Sequence, residues 1–171
     1  FDFAVYYIAG KALAAGHDVY SVEAAFGYRY LPAFAYTISR FFALLPPQTA
    51  YFLYLFLCEA LLVANLRLVW RWGANNDIRT QAACMWLAFS PFYLELYIGQ
   101  VSFLAASLLF WAFYAEAHRV PRAAGIAWIG AVLLKPNALI LVPAYLRQRR
   151  FKQLAWGALL VIATSVPYFW T

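Results

Sequence analysis

Residues 1–30 hold most of what could do chemistry in this 171-residue chain. Asp2, Asp18 and Glu23 offer carboxylates, Lys11, His17 and Arg29 offer donors, and Tyr6, Tyr7, Tyr20, Tyr28 and Tyr30 offer phenols and ring faces. After this segment the polar residues stand nearly alone. Arg40 lies within an apolar run, Glu59 and Glu95 lie within longer ones, Gln100 follows Gly99, and Lys135 separates two apolar stretches. An ionisable group inside apolar sequence is costly to keep, so each is a functional candidate by default. Each also has a plainer reading: Asp2 as a helix N-cap, Lys135 as a snorkelling side chain, Arg29, Asp18 and Glu23 as solvated loop charges.

The elements that must position these groups are set by composition. The chain is 66% hydrophobic and 12% charged, against about 45–50% and about 25% in a soluble domain. Charged residues fall between apolar runs of span length, which fits transmembrane helices and excludes the alternation of a barrel. The net charge of +6 is read as loop charge that sets orientation, and no nucleic-acid pattern accompanies it. Cys58 and Cys84 both lie in apolar runs and are expected as small core residues, without a disulfide. The chain begins at Phe1 and stops at Thr171 within apolar patterns, so we expect a segment of a longer protein.

Residues 1–49 are expected to form an extracytoplasmic loop and an interfacial helix, and residues 50–171 transmembrane helices. Asp2 could start a helix that Gly16 closes. The run 31–45 is about 22 Å long as a helix, short of a bilayer core of about 30 Å, and Arg40 sits in its middle. An interfacial helix fits it better than a span. Spans are expected over 50–70, 80–98 and 101–117, then a hairpin of short helices over 123–134 and 137–146 with Lys135 near its tip, then a last span from 153. The loops 67–79, 118–122 and 147–152 hold nine of the thirteen Lys and Arg residues. Placing all three in the cytoplasm puts Gly99-Gln100, Lys135 and residues 1–30 together on the outer face.

The motifs then carry a resemblance. Asp2-Phe3-Ala4-Val5-Tyr6-Tyr7, Ala9-Gly10, Gly16-His17-Asp18-Val19-Tyr20, Tyr28-Arg29-Tyr30-Leu31-Pro32, Gly99-Gln100-Val101 and Leu134-Lys135-Pro136 occur in the order seen in glycosyltransferase family 87. The chain resembles these polyprenol-phosphate-mannose-dependent mannosyltransferases of the GT-C superfamily over essentially its whole length. The resemblance implies an all-α, polytopic membrane helix bundle of GT-C type, with its site at the extracytoplasmic face of the plasma (inner) membrane. It implies a polyprenyl-phosphate sugar donor, a glycolipid or polysaccharide acceptor, and an inverting hexose transfer.

The resemblance places Asp2 at the family's catalytic base, where a carboxylate takes the proton of the attacking hydroxyl. The leaving group is a lipid phosphate, so Lys135 and Arg29 become candidates for binding it. Gln100, Tyr6, Tyr7, His17 and Asp18 are candidates for binding sugar or acceptor. Arg40 is expected mainly as a headgroup anchor. Glu95 could face the cavity, while Glu59 is expected to pair inside the bundle. No metal and no cofactor are expected. The competing classes are a lipid or sugar transporter, which would commonly show an internal repeat, and a non-catalytic membrane scaffold.

Overall fold

The computed structural model describes residues 2–21, 27–88 and 90–170; Glu23 lies outside them. Among the described residues every regular element is helical.

The mast of the fold is α4 (Pro47–Trp72), 26 residues and so about 39 Å long. Among the described residues it is the one helix long and apolar enough to cross a membrane by length and composition. Pro47 starts it, where a missing N–H costs nothing. Its buried residues Ala50, Tyr54, Cys58, Leu62, Asn65 and Val69 recur every three or four positions and form one stripe. The opposite face leaves Phe52, Phe56, Val63 and Trp70 exposed, a surface suited to lipid rather than water.

Two helices, α7 (Ser102–Ala117) and α8 (Pro121–Leu134), form a tight hairpin beside it. α7 runs in the same direction as α4. The Tyr54 hydroxyl reaches the Gln100 carbonyl just before α7 begins, and the Trp72 ring lies 5.7 Å from that of Tyr114 near where α7 ends. Midway, Asn65 Nδ2 donates to Ser107 Oγ at 2.8 Å and Asn65 Oδ1 accepts from Trp111 Nε1 at 2.6 Å. A satisfied polar group in an apolar bundle fixes register, because any slip would leave it unpaired.

After α8 the backbone turns extended at Lys135, with φ −144° and ψ 119°. Pro136 forces this, since the residue before a proline is excluded from the helical region. A 3₁₀ turn (Pro136–Leu141) and α9 (Val142–Arg147) then run back along α8. Trp128 Nε1 donates to the Ala138 carbonyl at 2.9 Å, and the Trp128 and Tyr145 rings lie 4.8 Å apart. A straight helix would hold residues 128 and 145 about 25 Å apart, so residues 123–146 are a hairpin. Arg150, at the start of α10 (Phe151–Trp170), pairs with Glu116 at the end of α7. The basic loops after α4, α7 and α9 therefore gather at one end of the bundle. Gly99-Gln100 and Lys135 lie at the other.

The N-terminal segment packs at that second end. α1 (Asp2–Ala14) closes at Gly16, φ +75°, with the His17 N–H bonded to the Ala12 carbonyl at 2.9 Å. It lies against a continuous rod made of α2 (Pro32–Phe34), a π-helical turn (Ala35–Ser39) and α3 (Arg40–Ala43). The contact is backbone to backbone at Gly10, where an added Cβ would sit 2.2 Å from the Ser39 carbonyl oxygen.

Three expectations need correction. Residues 80–98 are not one span but two short helices, α5 (Asn76–Leu87) and α6 (Ser90–Ile98), and Pro91 at the start of α6 accounts for the break. Cys84 is exposed on α5, while Cys58 is buried. Glu59 is exposed on α4 without a partner among the described residues; the buried polar position on that helix is Asn65, six residues on and round to the packed face.

The Gly10 contact gives a stability test. Gly10→Ala is expected to cost about 1–3 kcal/mol by overpacking, read as a lower thermal midpoint of the purified protein. Gly27→Ala, where a Cβ meets nothing within 4 Å, leaves the midpoint unchanged.

Candidate active site

A cavity of about 520 Å³ opens where the N-terminus of α1, the α6–α7 turn and the tip of the α8 hairpin meet. Asp2 and Tyr6 reach it from α1, Arg29 and Tyr30 from the following loop, Gln100 from the turn, and Lys135 and Asn137 from the hairpin. Val5, Ile98 and Pro136 supply its apolar wall.

The α6–α7 turn brings these parts together. Gly99 has φ +78°, and its N–H and that of Gln100 both bond the Glu95 carbonyl. A Cβ on Gly99 would lie 2.5 Å from Phe3 Cβ, so only glycine lets the turn touch α1 beside Asp2. Two tyrosines of α4 fasten the turn: Tyr51 donates to the Leu96 carbonyl at 2.8 Å, and Tyr54 donates to the Gln100 carbonyl. Phe3 is held in turn by the rings of Phe42, Tyr51 and Tyr54, all with centroids 5.2–5.3 Å away.

Lys135 is fixed by the next residues of the same turn. Its ammonium donates to Ser102 Oγ. Ser102 Oγ lies 3.3 Å from Gln100 Oε1, so the hydroxyl can donate to Gln100 while its oxygen accepts from Lys135. Glu95 accepts from the Phe103 N–H in the first turn of α7, where the helix dipole favours negative charge. Lys135 acts on Glu95 as a nearby opposite charge.

Asp2 differs. Its carboxylate makes no hydrogen bond and no ion pair to any described residue, and neither does the Arg29 guanidinium. Opposite them, Tyr6 and Tyr30 share a hydrogen bond of 2.6 Å, and the Tyr30 ring stacks on Phe34 at 5.0 Å. Burial pushes both phenols up, so both stay protonated; one proton closes the bond between them and the other is left to donate. Among the described residues no three His, Cys, Asp or Glu side chains group as metal ligands.

Five of the residues singled out from sequence meet here: Asp2, Tyr6, Arg29, Gln100 and Lys135. Three do not. Tyr7 follows Tyr6 by one position, a rotation of about 100° on a helix, and its hydroxyl donates instead to the Leu45 carbonyl at 2.8 Å. His17 and Asp18 line a separate cleft at the far end of α1. Tyr30, named above among the tyrosines of residues 1–30 but not as a sugar-binding residue, lines the cavity as well. Asn137 and Ser102 belong to the site or its support and were not singled out; their only sequence signal was their place beside Pro136 and two residues after Gln100.

Comparison with known families decides the class. The profile of glycosyltransferase family 87 matches residues 28–170. The chain belongs to glycosyltransferase family 87. Neither the comparison with curated proteins nor the one with solved structures gives a match. The matched stretch includes Arg29, Gln100, Ser102 and Lys135, while Asp2 and the rest of α1 precede it. Family membership makes this protein a membrane-associated glycosyltransferase, acting between a sugar donor and an acceptor.

Ser102→Ala takes away the oxygen that Lys135 bonds. Transfer activity is expected to fall about tenfold, the scale of one hydrogen bond to a charged group, with the thermal midpoint held. Ser107→Ala, in the middle of the bundle, should do the reverse: it strands Asn65, costs about 1–3 kcal/mol of stability, and spares activity at low temperature.

Proposed function

We propose that this protein moves a hexose, mannose in the first instance, from a polyprenyl-phosphate sugar to an extracytoplasmic glycolipid or polysaccharide. The observation that carries the reading is the Asp2 carboxylate, without a hydrogen bond or ion pair to any described residue, sharing one cavity with Lys135 and Arg29. A carboxylate open to substrate beside two cations suits a reaction that attacks one carbon and expels a phosphate.

In this mechanism Asp2 takes the proton of the acceptor hydroxyl as its oxygen bonds the anomeric carbon. The bond from that carbon to the phosphate oxygen breaks on the opposite face, so the configuration inverts. The electron pair leaves with the polyprenyl phosphate. Lys135, steadied by Ser102, and Arg29 stabilise the charge gathering on it, and fixed cations do this with little reorganisation. Gln100, Asn137, Tyr6 and Tyr30 offer hydrogen bonds to the sugar.

The sidedness follows from charge. The loops 67–79, 118–122 and 147–152 share one end of the bundle, and their Arg and Lys content assigns that end to the cytoplasm. The cavity then faces outward, among helices arranged as a polytopic GT-C bundle. α7 and α8, about 24 and about 21 Å long, are shorter than the bilayer core, which sets Lys135 below the outer surface and within reach of a lipid phosphate.

The test uses the purified protein in nanodiscs with radiolabelled polyprenyl-phosphate mannose and a membrane lipid extract. Asp2→Asn is expected to lower transfer by about 10²-fold or more while donor binding persists. An Asp2→Asn protein with full turnover would remove Asp2 from the mechanism. Donor binding without transfer of any sugar would favour a transport role.

A further inference from the structure

A second cleft, of about 500 Å³, opens at the other end of α1. α1 (Asp2–Ala14) supplies Asp2 to the first cavity and Leu13 to the second, and holds these two residues about 16 Å apart along its axis, at about 1.5 Å per residue. The second cleft is lined by His17 and Asp18 after α1, by Tyr36 and Arg40 on the rod, and by Tyr168 on α10.

Its free hydrogen-bonding capacity is weighted towards donors. Asp18 is already engaged: its Oδ1 accepts from the Tyr168 hydroxyl and from the Tyr20 N–H. Arg40, His17 and Tyr36 make no side-chain hydrogen bond or ion pair to any described residue. A guanidinium has five N–H donors in a planar fork that matches a phosphate. Exposed apolar side chains follow two of the lining residues along the chain: Phe41 and Leu44 after Arg40 are 51% and 77% exposed, and Phe169 after Tyr168 is 79% exposed. A cation-bearing cleft on elements that expose apolar side chains fits an amphiphile with an anionic head, and fits a free ion less well.

We propose that this cleft binds the phosphate headgroup of an anionic membrane lipid, with Arg40 as its main contact and His17 and Tyr36 as secondary donors. The acyl chains lie along Phe41, Leu44 and Phe169. The bound lipid joins three parts of the chain that are distant in sequence. The Asp18–Tyr168 contact already ties the N-terminal loop to α10, and Tyr20 carries the tie onward by donating to the Tyr30 carbonyl at 2.7 Å. Tyr30 lines the first cavity, so headgroup binding steadies that wall from outside. The binding itself does not rest on the transferase reading, because it is measured without turnover.

The experiment reconstitutes the protein in nanodiscs of phosphatidylcholine alone or mixed with phosphatidylglycerol, and reads retained lipid by native mass spectrometry. Wild type is expected to retain phosphatidylglycerol preferentially. Arg40→Gln should weaken that retention about tenfold, the scale of a charge-assisted hydrogen bond, and Arg40→Lys should restore part of it. Arg67→Gln, outside the cleft, should leave it intact. Equal thermal midpoints of wild type and Arg40→Gln in phosphatidylcholine alone establish that the variant is folded; His17→Gln serves if it is not. Retention that ignores both variants overturns the site. An Arg40-dependent rise in midpoint with inorganic phosphate in detergent, without preference for phosphatidylglycerol in discs, overturns the lipid as its ligand.

Discussion

Lys135 is an ammonium group held between two apolar runs, and the fold around it is arranged to make that tolerable. Its partner is Ser102, which begins α7 and is itself tied to Gln100. For the contact to exist, the tip of the α8 hairpin must meet the α6–α7 turn. Pro136 fixes the tip and Gly99 fixes the turn. The same turn touches Phe3, one residue from Asp2. One polar contact therefore places the cation, and the packing that permits it also places the carboxylate at the same cavity.

The cavity stays open because its supports are stiff aromatic side chains with few rotamers to lose. Phe3 sits among Phe42, Tyr51 and Tyr54, and Tyr30 sits between Tyr6 and Phe34. The Tyr51 hydroxyl satisfies the Leu96 carbonyl in the last turn of α6, where a helix lacks partners, and the Tyr54 hydroxyl satisfies the Gln100 carbonyl in the turn that follows. The tyrosines around the cavity thus divide into two sets. Tyr6 and Tyr30 face the cavity, and Tyr51 and Tyr54 brace its frame.

Much of this was legible in the chain itself. A run of span length gave α4, and the dipeptides Gly99-Gln100 and Lys135-Pro136 marked turns that must face each other if the basic loops share a side. What could not be read was rotation about each helix axis. Tyr6 and Tyr7 are equivalent in composition, and only the packing of α1 on the rod, through Gly10, decides which one enters the cavity. The same holds for Glu59 and Asn65 on α4: the charged residue drew attention, yet the buried stripe runs through the uncharged one. Ser102 was hidden for a different reason, since a serine at a helix start is ordinarily a local structural feature and its partner lies 33 residues away.

The surroundings of Asp2 and Glu95 separate their roles. Glu95 already accepts from the Phe103 N–H, and Lys135 acts on it as a nearby opposite charge. Its carboxylate is thus engaged within the frame of the cavity. Asp2 has no such partners among the described residues and lines the cavity directly. A general base needs an oxygen lone pair facing the substrate and no donor competing for it. In the proposed mechanism that criterion favours Asp2 as the base, and it leaves Glu95 a part in the frame that holds the turn beside Lys135.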